Sequence, residues 1–212
     1  MMANVTRGSS IGTAVSLTAV GAVAAAAAWF TTFGLRGWTT EEVRRLRVQA
    51  NPPVLSALQL TSSSGASVVS WGEPTRKQHV WLVTFMYTRC PTLCTTLGFE
   101  FERLQRKLGQ DPRDEHIGLL SISFDPAHDD VRALAGYAAQ HHADPARWVV
   151  AVPSSAAALA ELEREAGIVV ISDGLGGYTH NSAIHVVLED GRLVRIFGFD
   201  NPEGAIACAR RL

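Results

Sequence analysis

The stretch from Val80 to Leu108 constrains the fold more than any other part of the chain. Its first seven residues, Val80 to Met86, are mostly apolar and rich in β-branched and aromatic side chains. A run this short and apolar predicts a strand that is buried on both faces. After a polar turn, apolar residues recur at spacings of four, three and four, which predicts an amphipathic helix with one buried stripe. The stripe consists of Leu97, Phe101, Leu104 and Leu108.

Cys90 and Cys94 lie where this strand gives way to the helix, and Pro91 suits a first helical turn because its missing N–H costs nothing there. Residues four apart on a helix are neighbours, so both sulfurs can face one point. The helix N-terminus and Arg89 favour the thiolate forms. Two converging thiolates suit either disulfide chemistry or a thiophilic metal such as Cu(I) or Zn(II). Inert buried cysteines are the alternative, but these have no reason to collect at an exposed helix start.

Strand and helix patterns alternate along the rest of the chain. This order predicts an α/β domain with a mixed central sheet flanked by helices. The predicted elements are a hairpin of Leu58–Leu60 and Ser67–Val69, strands at Ile117–Phe124 and Trp148–Val152, a helix from Asp129 or Asp130 to Ala139, a helix from Ser154 or Ser155 to Gly167, a Gly-rich loop at Gly174–Thr179, a hairpin of Ala183–Leu188 and Arg192–Phe197, and a last helix at Pro202–Arg211.

The N-terminal part carries an uncharged segment, Ile11 to Phe33, that is rich in Ala and Val and ends in aromatic residues. Its length and composition predict a single transmembrane anchor. A cleaved signal peptide is the alternative, because Ala24 to Ala28 offers small-residue cleavage sites. Thr39 and Glu42 form a predicted capping box for a short helix that ends near Gln49. We therefore expect an anchor in residues 1–36, a short helix and linker in 37–53, and a folded domain in 54–212.

The arginines around the predicted anchor conflict with the chemistry of the cysteines. Arg7 stands alone before the segment, whereas Arg36, Arg44, Arg45 and Arg47 follow it. The positive-inside rule alone would place the domain in the cytoplasm. Disulfide chemistry and the binding of a thiophilic metal both favour an oxidising or metal-supplying compartment outside the cytoplasmic membrane. We therefore expect a single-pass protein of the cell membrane with its folded domain on the extracytoplasmic side.

Composition argues against several other functions. A net charge of −1 gives no basic field, so it does not support nucleic-acid binding. The glycines at 174–177 lack the preceding strand and following helix that a nucleotide-binding motif needs. Three cysteines do not make the disulfide framework of a small secreted domain. Cys208 is then a spare thiol, which we expect to be half-buried or exposed.

A strand that leads into a cysteine-bearing helix start, inside a βαβ and ββ order, is the thioredoxin architecture. Here three residues rather than two separate the cysteines. The segment Phe85–Cys94 (FMYTRCPTLC) resembles the signature of the Sco (SenC) family of membrane-anchored copper proteins. The similarity includes Ser121–Pro126 and Thr179–Ser182, ten residues before the Asp190-Gly191 turn, and covers roughly Val54 to Phe199. It implies a thioredoxin-like fold.

The same resemblance implies a ligand set of Cys90, Cys94 and His180 for one copper ion, as Cu(I), Cu(II) or both. A solvated loop residue is the alternative for His180. For Asp125 the resemblance implies a residue that supports the site or contacts a partner, and a helix-entry turn residue is the alternative. We expect His185 to be a core or partner-facing residue. We expect the remaining histidines to be solvated: His79, His116, His128, His141 and His142. A weak accessory metal site is a further possibility for the adjacent pair His141 and His142.

The resemblance implies a copper chaperone that delivers its ion to the copper-site subunit of a respiratory cytochrome c oxidase, or to another copper protein. The alternative is a membrane-anchored thiol–disulfide oxidoreductase in which Cys90 attacks and Cys94 resolves, keeping the oxidase cysteines reduced. A thiol peroxidase and a copper-sensing module are further alternatives. Only the oxidoreductase and the peroxidase would be enzymes.

Overall fold

The computed structural model describes the backbone of residues 8–90 and 93–212 and the side chains of residues 12–90 and 96–212. Its internal contacts divide the chain into two units, Met1–Leu46 and Arg47–Leu212. The boundaries that we infer from the sequence, at residues 36 and 53, stay predictions.

The first unit is dominated by helix α1, Gly8–Thr31. Within it, the 20 residues Gly12–Thr31 are long and apolar enough to cross a membrane. Helix α2, Thr40–Ala50, begins with the predicted capping box. The Thr39 hydroxyl oxygen accepts a hydrogen bond from the Glu42 N–H at 3.1 Å, and the Glu42 carboxylate accepts one from the Thr39 N–H at 3.0 Å. The predicted start of the short helix is therefore confirmed.

The second unit alternates strands and helices in nearly the predicted order. Its elements are β1 (Gln59–Ser62), β2 (Ser67–Val69), β3 (Val80–Met86), α3 (Leu93–Leu108), a 3-10 helix (Pro112–His116), β4 (Ile117–Ser123), α4 (Val131–Gln140), β5 (Trp148–Pro153), α5 (Ala156–Ala166), β6 (Val170–Ser172), β7 (Tyr178–His180), β8 (Ala183–Leu188), β9 (Leu193–Gly198) and α6 (Pro202–Ala209).

Seven of these strands form one mixed sheet in the order β2-β1-β5-β4-β3-β8-β9. The central strands β3, β4 and β5 are parallel, and antiparallel hairpins extend the sheet on both sides. Every residue of β3 and of β4 is buried, which is why neither strand alternates apolar and polar residues. The predicted α/β fold with a mixed central sheet is confirmed.

The register of the sheet gathers three chain segments at one edge. Strands β3 and β4 end together, since Met86 pairs with Ser123, and the antiparallel β8 begins near the same edge. The segments after β3, after β4 and before β8 therefore leave or enter the sheet on the same side. This carboxyl edge of parallel strands is where ligand sites gather in α/β folds.

Helix α3 buries the predicted stripe completely, with Leu97, Phe101, Leu104 and Leu108 all at 0% exposure. The helix contacts β4 and α6. The side chain of Asp130 caps α4, and that of Ser155 caps α5. In each case the second of the two adjacent residues that the sequence offered as caps is the one used. Gly167 ends α5 with a φ of 67°, a conformation that favours glycine.

Two expectations about local structure are wrong. The segment Gly174–Thr179 is not entirely loop, because Tyr178 and Thr179 belong to β7, which pairs with β6 in a separate two-stranded hairpin. The residues of β7, Tyr178–His180, show no alternation of apolar and polar side chains, so only the pairing with β6 reveals this strand. Cys208 is buried at 8% exposure, because α6 packs against β8 and β9.

Candidate metal centre

Cys90 lies at the end of a tight turn that directly follows β3. The Cys90 N–H donates a hydrogen bond to the Tyr87 carbonyl at 3.3 Å, which makes Thr88 and Arg89 the two central residues of the turn. The side chain of Cys90 is half-buried and packs against the hydrophobic core.

Cys94 is the second residue of helix α3. The predicted position of the cysteines at a strand-to-helix junction therefore holds for the backbone. Pro91 and Thr92, and the side chain of Cys94, lie outside the described part of the structure. The convergence of the two sulfurs stays a prediction.

His180 is the last residue of β7 and is half-buried. Its ring meets the ring of Phe124 edge to face, with 4.9 Å between centroids, and the Ser182 hydroxyl lies 3.2 Å from both ring nitrogens. Burial lowers the pKa of His180 from 6.5 to about 4. The imidazole is therefore neutral near pH 7, which is the form that coordinates metals.

A cleft of about 530 Å³ contains both Cys90 and His180. Its lining comprises Tyr87, Arg89, Cys90, Asp173, Leu175, Gly176, Gly177, Tyr178, Thr179 and His180. The structure thus brings together two of the three predicted ligands, which are 90 residues apart in the chain. Among the described side chains, no group of three His, Cys, Asp or Glu could hold a metal ion. Within this cleft, a three-ligand site would need Cys94.

Three aromatic side chains support the hairpin that carries His180. The rings of Tyr87, Phe124 and Tyr178 are in mutual contact, with centroid distances between 5.1 and 5.6 Å. The phenol oxygen of Tyr87 also accepts a hydrogen bond from the Tyr178 N–H at 3.2 Å. These contacts join the Cys90 turn, the end of β4 and the β6–β7 hairpin into one cluster.

Asp125 is 2% exposed and does not belong to the lining of the cleft. Its carboxylate accepts hydrogen bonds from Arg89 and His128, each at 2.8 Å, and lies 3.5 Å from the Tyr178 hydroxyl. Burial raises the pKa of Asp125, but the hydrogen bonds from Arg89 and His128 outweigh it and lower the pKa below its ordinary value. Asp125 therefore contacts two residues of the cleft wall, and its expected supporting role stays a prediction. His128 is exposed, as expected, and its ring contacts Asp125.

Asp129 could not be identified from the sequence as part of this region, because Asp129 and Asp130 are equally well placed to cap α4. The carboxylate of Asp129 instead accepts hydrogen bonds from the backbone and the hydroxyl of Thr88 and from the hydroxyl of Ser123. One helix needs only one N-cap residue, so the presence of two adjacent aspartates was the only sign in the sequence that one of them has another role.

Among the other histidines, His79 and His142 are exposed as expected, whereas His116 is half-buried. His185 is buried against Phe85, as expected for a core residue. His141 is at 0% exposure, so its expected solvation is wrong. It packs against Phe99, Tyr137 and Trp148, and neither ring nitrogen has a hydrogen-bond partner in the described structure. An accessory metal site at His141 and His142 therefore has no support.

A cysteine turn between a buried strand and a helix, which lines the same cleft as a histidine at one edge of a mixed sheet, defines a thioredoxin-like domain with a thiol and an imidazole in one cleft. The SCO1/SenC family model matches residues 49–211, and the chain belongs to that family. The SCO1 protein homolog of Bacillus subtilis (strain 168) is 28% identical over 128 residues, which is 59% of this chain. The match spans 65% of the relative's own length, just under two thirds.

Three solved structures share the fold. A SCO1/SenC family lipoprotein from Bacillus anthracis str. Ames superposes with a TM-score of 0.67 at 21% identity, over 76% of this chain and 97% of that one. ScoI of Bradyrhizobium japonicum with copper bound gives 0.58 at 26% identity, over 74% and 98%. BsSco, described as a member of the Sco family of cytochrome c oxidase assembly proteins, gives 0.62 at 21% identity, over 76% and 96%. The thioredoxin-like fold implied by the sequence is therefore confirmed.

Proposed function

We propose that this protein is a copper chaperone that binds one copper ion through Cys90, Cys94 and His180. In the proposal it delivers the ion to the copper centre of a cytochrome c oxidase during assembly. Sco proteins take part in copper binding and oxidase assembly, and the Bradyrhizobium japonicum relative contains copper.

The observation that carries the proposal is the shared cleft of Cys90 and His180. A soft thiolate and a neutral imidazole suit Cu(I), and a second thiolate from Cys94 would complete a three-ligand set that also tolerates Cu(II). The cleft opens to solvent, as Leu175 on its wall is 93% exposed. A metal that must be handed on by ligand exchange needs such an open side.

A thiol–disulfide oxidoreductase is the second candidate, supported by the position of Cys90 just before a helix N-terminus. In this reaction the Cys90 thiolate would attack a disulfide sulfur of the partner and release the other sulfur as a thiolate. Cys94 would then attack Cys90, which frees the partner as a dithiol and leaves a Cys90–Cys94 disulfide. The partner would be the copper-site cysteines of the oxidase. Imidazole chemistry at His180 is not required for this exchange.

We further propose that α1 anchors the chain in the cell membrane, with the folded domain on the extracytoplasmic side. The 20 uncharged residues Gly12–Thr31 support the anchor. The Bacillus anthracis relative is described as a lipoprotein, which also suggests membrane association. Copper supply and stable disulfides favour the extracytoplasmic side.

Anaerobic copper titration of the reduced full-length chain in detergent tests the proposal. The parent should bind one copper. His180→Ala should bind it at least about tenfold more weakly, since loss of even a supporting group around a metal costs that much. The control is His142→Ala, whose side chain is 77% exposed. It should match the parent.

The same variants separate the two candidate functions. Under the chaperone proposal, the Cys90–Cys94 couple of His180→Ala still oxidises and reduces, with its midpoint potential moved only modestly. Unchanged copper affinity in His180→Ala would refute the ligand assignment and favour the oxidoreductase. A parent that binds no copper would exclude the chaperone.

A further inference from the structure

Both central residues of the Cys90 turn are held by carboxylates from the segment that follows β4. Arg89 pairs with Asp125 at 2.8 Å. Thr88 donates twice to Asp129, from its backbone N–H at 2.9 Å and from its hydroxyl at 2.6 Å. Hydrogen bonds to carboxylates therefore hold both central residues of the turn that ends in Cys90.

Asp129 is completely buried, at 0% exposure. Its third hydrogen bond comes from the hydroxyl of Ser123, the last residue of β4, at 2.5 Å. A buried carboxylate is costly unless hydrogen bonds compensate for lost water. Two of the three hydrogen bonds to the Asp129 carboxylate come from Thr88 in the Cys90 turn, and the third comes from Ser123 at the end of β4. None of the described donors belongs to α4. The capping of α4 falls to the neighbouring Asp130.

We propose that Asp129 is a positioning residue that holds the Cys90 thiol in place for its chemistry. It binds the backbone N–H of Thr88, two residues before Cys90, and does not line the cleft, so it acts only through the turn. Site groups must be held to within about 0.5 Å of their working geometry. The expected effect of Asp129 on copper binding rests on the proposed function. Its expected effect on the position of the Cys90 thiol does not.

The test compares two adjacent aspartates in the full-length chain in detergent. Asp129→Asn keeps the size of the side chain but replaces one acceptor by a donor that faces the hydroxyl and N–H donors. The control, Asp130→Ser, removes the same charge one residue away and keeps a residue that caps helices. We expect the Cu(I) affinity to fall about tenfold in Asp129→Asn and to stay within about twofold in Asp130→Ser.

A second readout follows Cys90 directly. The rate at which iodoacetamide labels the Cys90 peptide of the reduced, metal-free chain, measured by mass spectrometry, should change at least about threefold in Asp129→Asn and remain unchanged in Asp130→Ser. If Asp129→Asn does not fold, Thr88→Val provides the test. Valine has the shape of threonine but lacks the hydroxyl, so it removes one of the two bonds to Asp129. Its effects should have the same direction and be smaller.

A purely structural role gives a different result. In that case Asp129→Asn would unfold more readily, but the folded variant would keep the parent's copper affinity and labelling rate, which overturns the inference. Failure of the proposed function is seen separately, as a parent chain that binds no copper. The labelling rates still decide the role of Asp129 in that event, and equal rates in parent and variant would refute it.

Discussion

The phenol oxygen of Tyr87 accepts a hydrogen bond from the backbone N–H of Tyr178 at a distance of 3.2 Å. The two rings also meet edge to face, with 5.1 Å between centroids. Tyr87 begins the turn that ends in Cys90, and Tyr178 begins the strand that ends in His180. This single pair therefore connects the two chain segments that supply the candidate ligands.

Tyr87→Phe removes this hydrogen bond and keeps the ring. We expect the free energy of unfolding in urea to fall by about 1 kcal/mol, the usual net contribution of one hydrogen bond. Copper affinity should fall as well, because the hairpin that carries His180 is held less firmly. Tyr178→Phe is the control, since its hydroxyl is 3.5 Å from Asp125, at the limit of a hydrogen bond. An affinity loss as large in the control would show that the Tyr87 bond has no special importance.

Gly98 of α3 is required by the buried ring of His141. A Cβ at position 98 would lie 2.3 Å from the Nε2 atom of His141. Overpacking of this kind costs about 1–3 kcal/mol, so Gly98→Ala should lower the free energy of unfolding despite the better helix propensity of alanine. Chemical denaturation measures the change.

The control is Gly136→Ala in α4, where an added Cβ meets nothing within 4 Å. That substitution should stabilise the protein by up to about 1 kcal/mol. In a His141→Ala background, the cost of Gly98→Ala should shrink or reverse, because the two positions are in direct contact. Equal costs in both backgrounds would contradict the predicted clash.

The stability of the protein should decrease as the solution becomes acidic. Burial lowers the pKa of His141 below its ordinary value of 6.5 and outweighs the attraction of Glu102, while His142 acts in the same direction as burial. Above pH 6.5 the ring is neutral in both the folded and the unfolded chain, so it makes no pH-dependent contribution. Below that pH the unfolded chain takes up a proton that the folded chain resists, and the free energy of unfolding falls.

Urea unfolding at a series of pH values between 7.5 and about 4.5 would measure this loss. The lowered pKa of His180 adds a loss of the same sign, so parent and variants must be compared. His141→Phe should show a shallower decrease than the parent, whereas His142→Gln, at an exposed position, should follow the parent closely. A parent and a His141→Phe variant with parallel curves would count against the prediction.

Membrane topology can be read from a reporter fused after Leu212. We expect a reporter that requires the extracytoplasmic space to be active, and one that requires the cytoplasm to be inactive. The opposite pattern would mean that the four arginines after the apolar segment decide the orientation. Moving those arginines in front of the segment is the matched control, since it leaves the composition unchanged.

Local patterns in the sequence predicted most of the elements. Strand β3 has the predicted bounds, Val80–Met86, because the mostly apolar run begins directly after His79 and stops at the turn that opens with Tyr87. The four buried residues of α3, the Thr39 capping box and the Asp190-Gly191 turn are likewise determined by residues within a few positions of each other. For the same reason the junction that contains Cys90 could be predicted from the sequence.

The tertiary structure decided the relationships between distant residues. His180 was suggested by a family resemblance and not by any periodicity. Its place in the same cleft as Cys90 depends on the register of the sheet and on a hairpin of two three-residue strands. Asp129 and Asp130 fit a helix cap equally well, and only the contact with Thr88 distinguishes them. His141 appears polar in sequence, but it is buried because Gly98, 43 positions away, leaves room for its ring. Short-range patterns are encoded by neighbouring side chains, whereas these contacts exist only after the strands have paired.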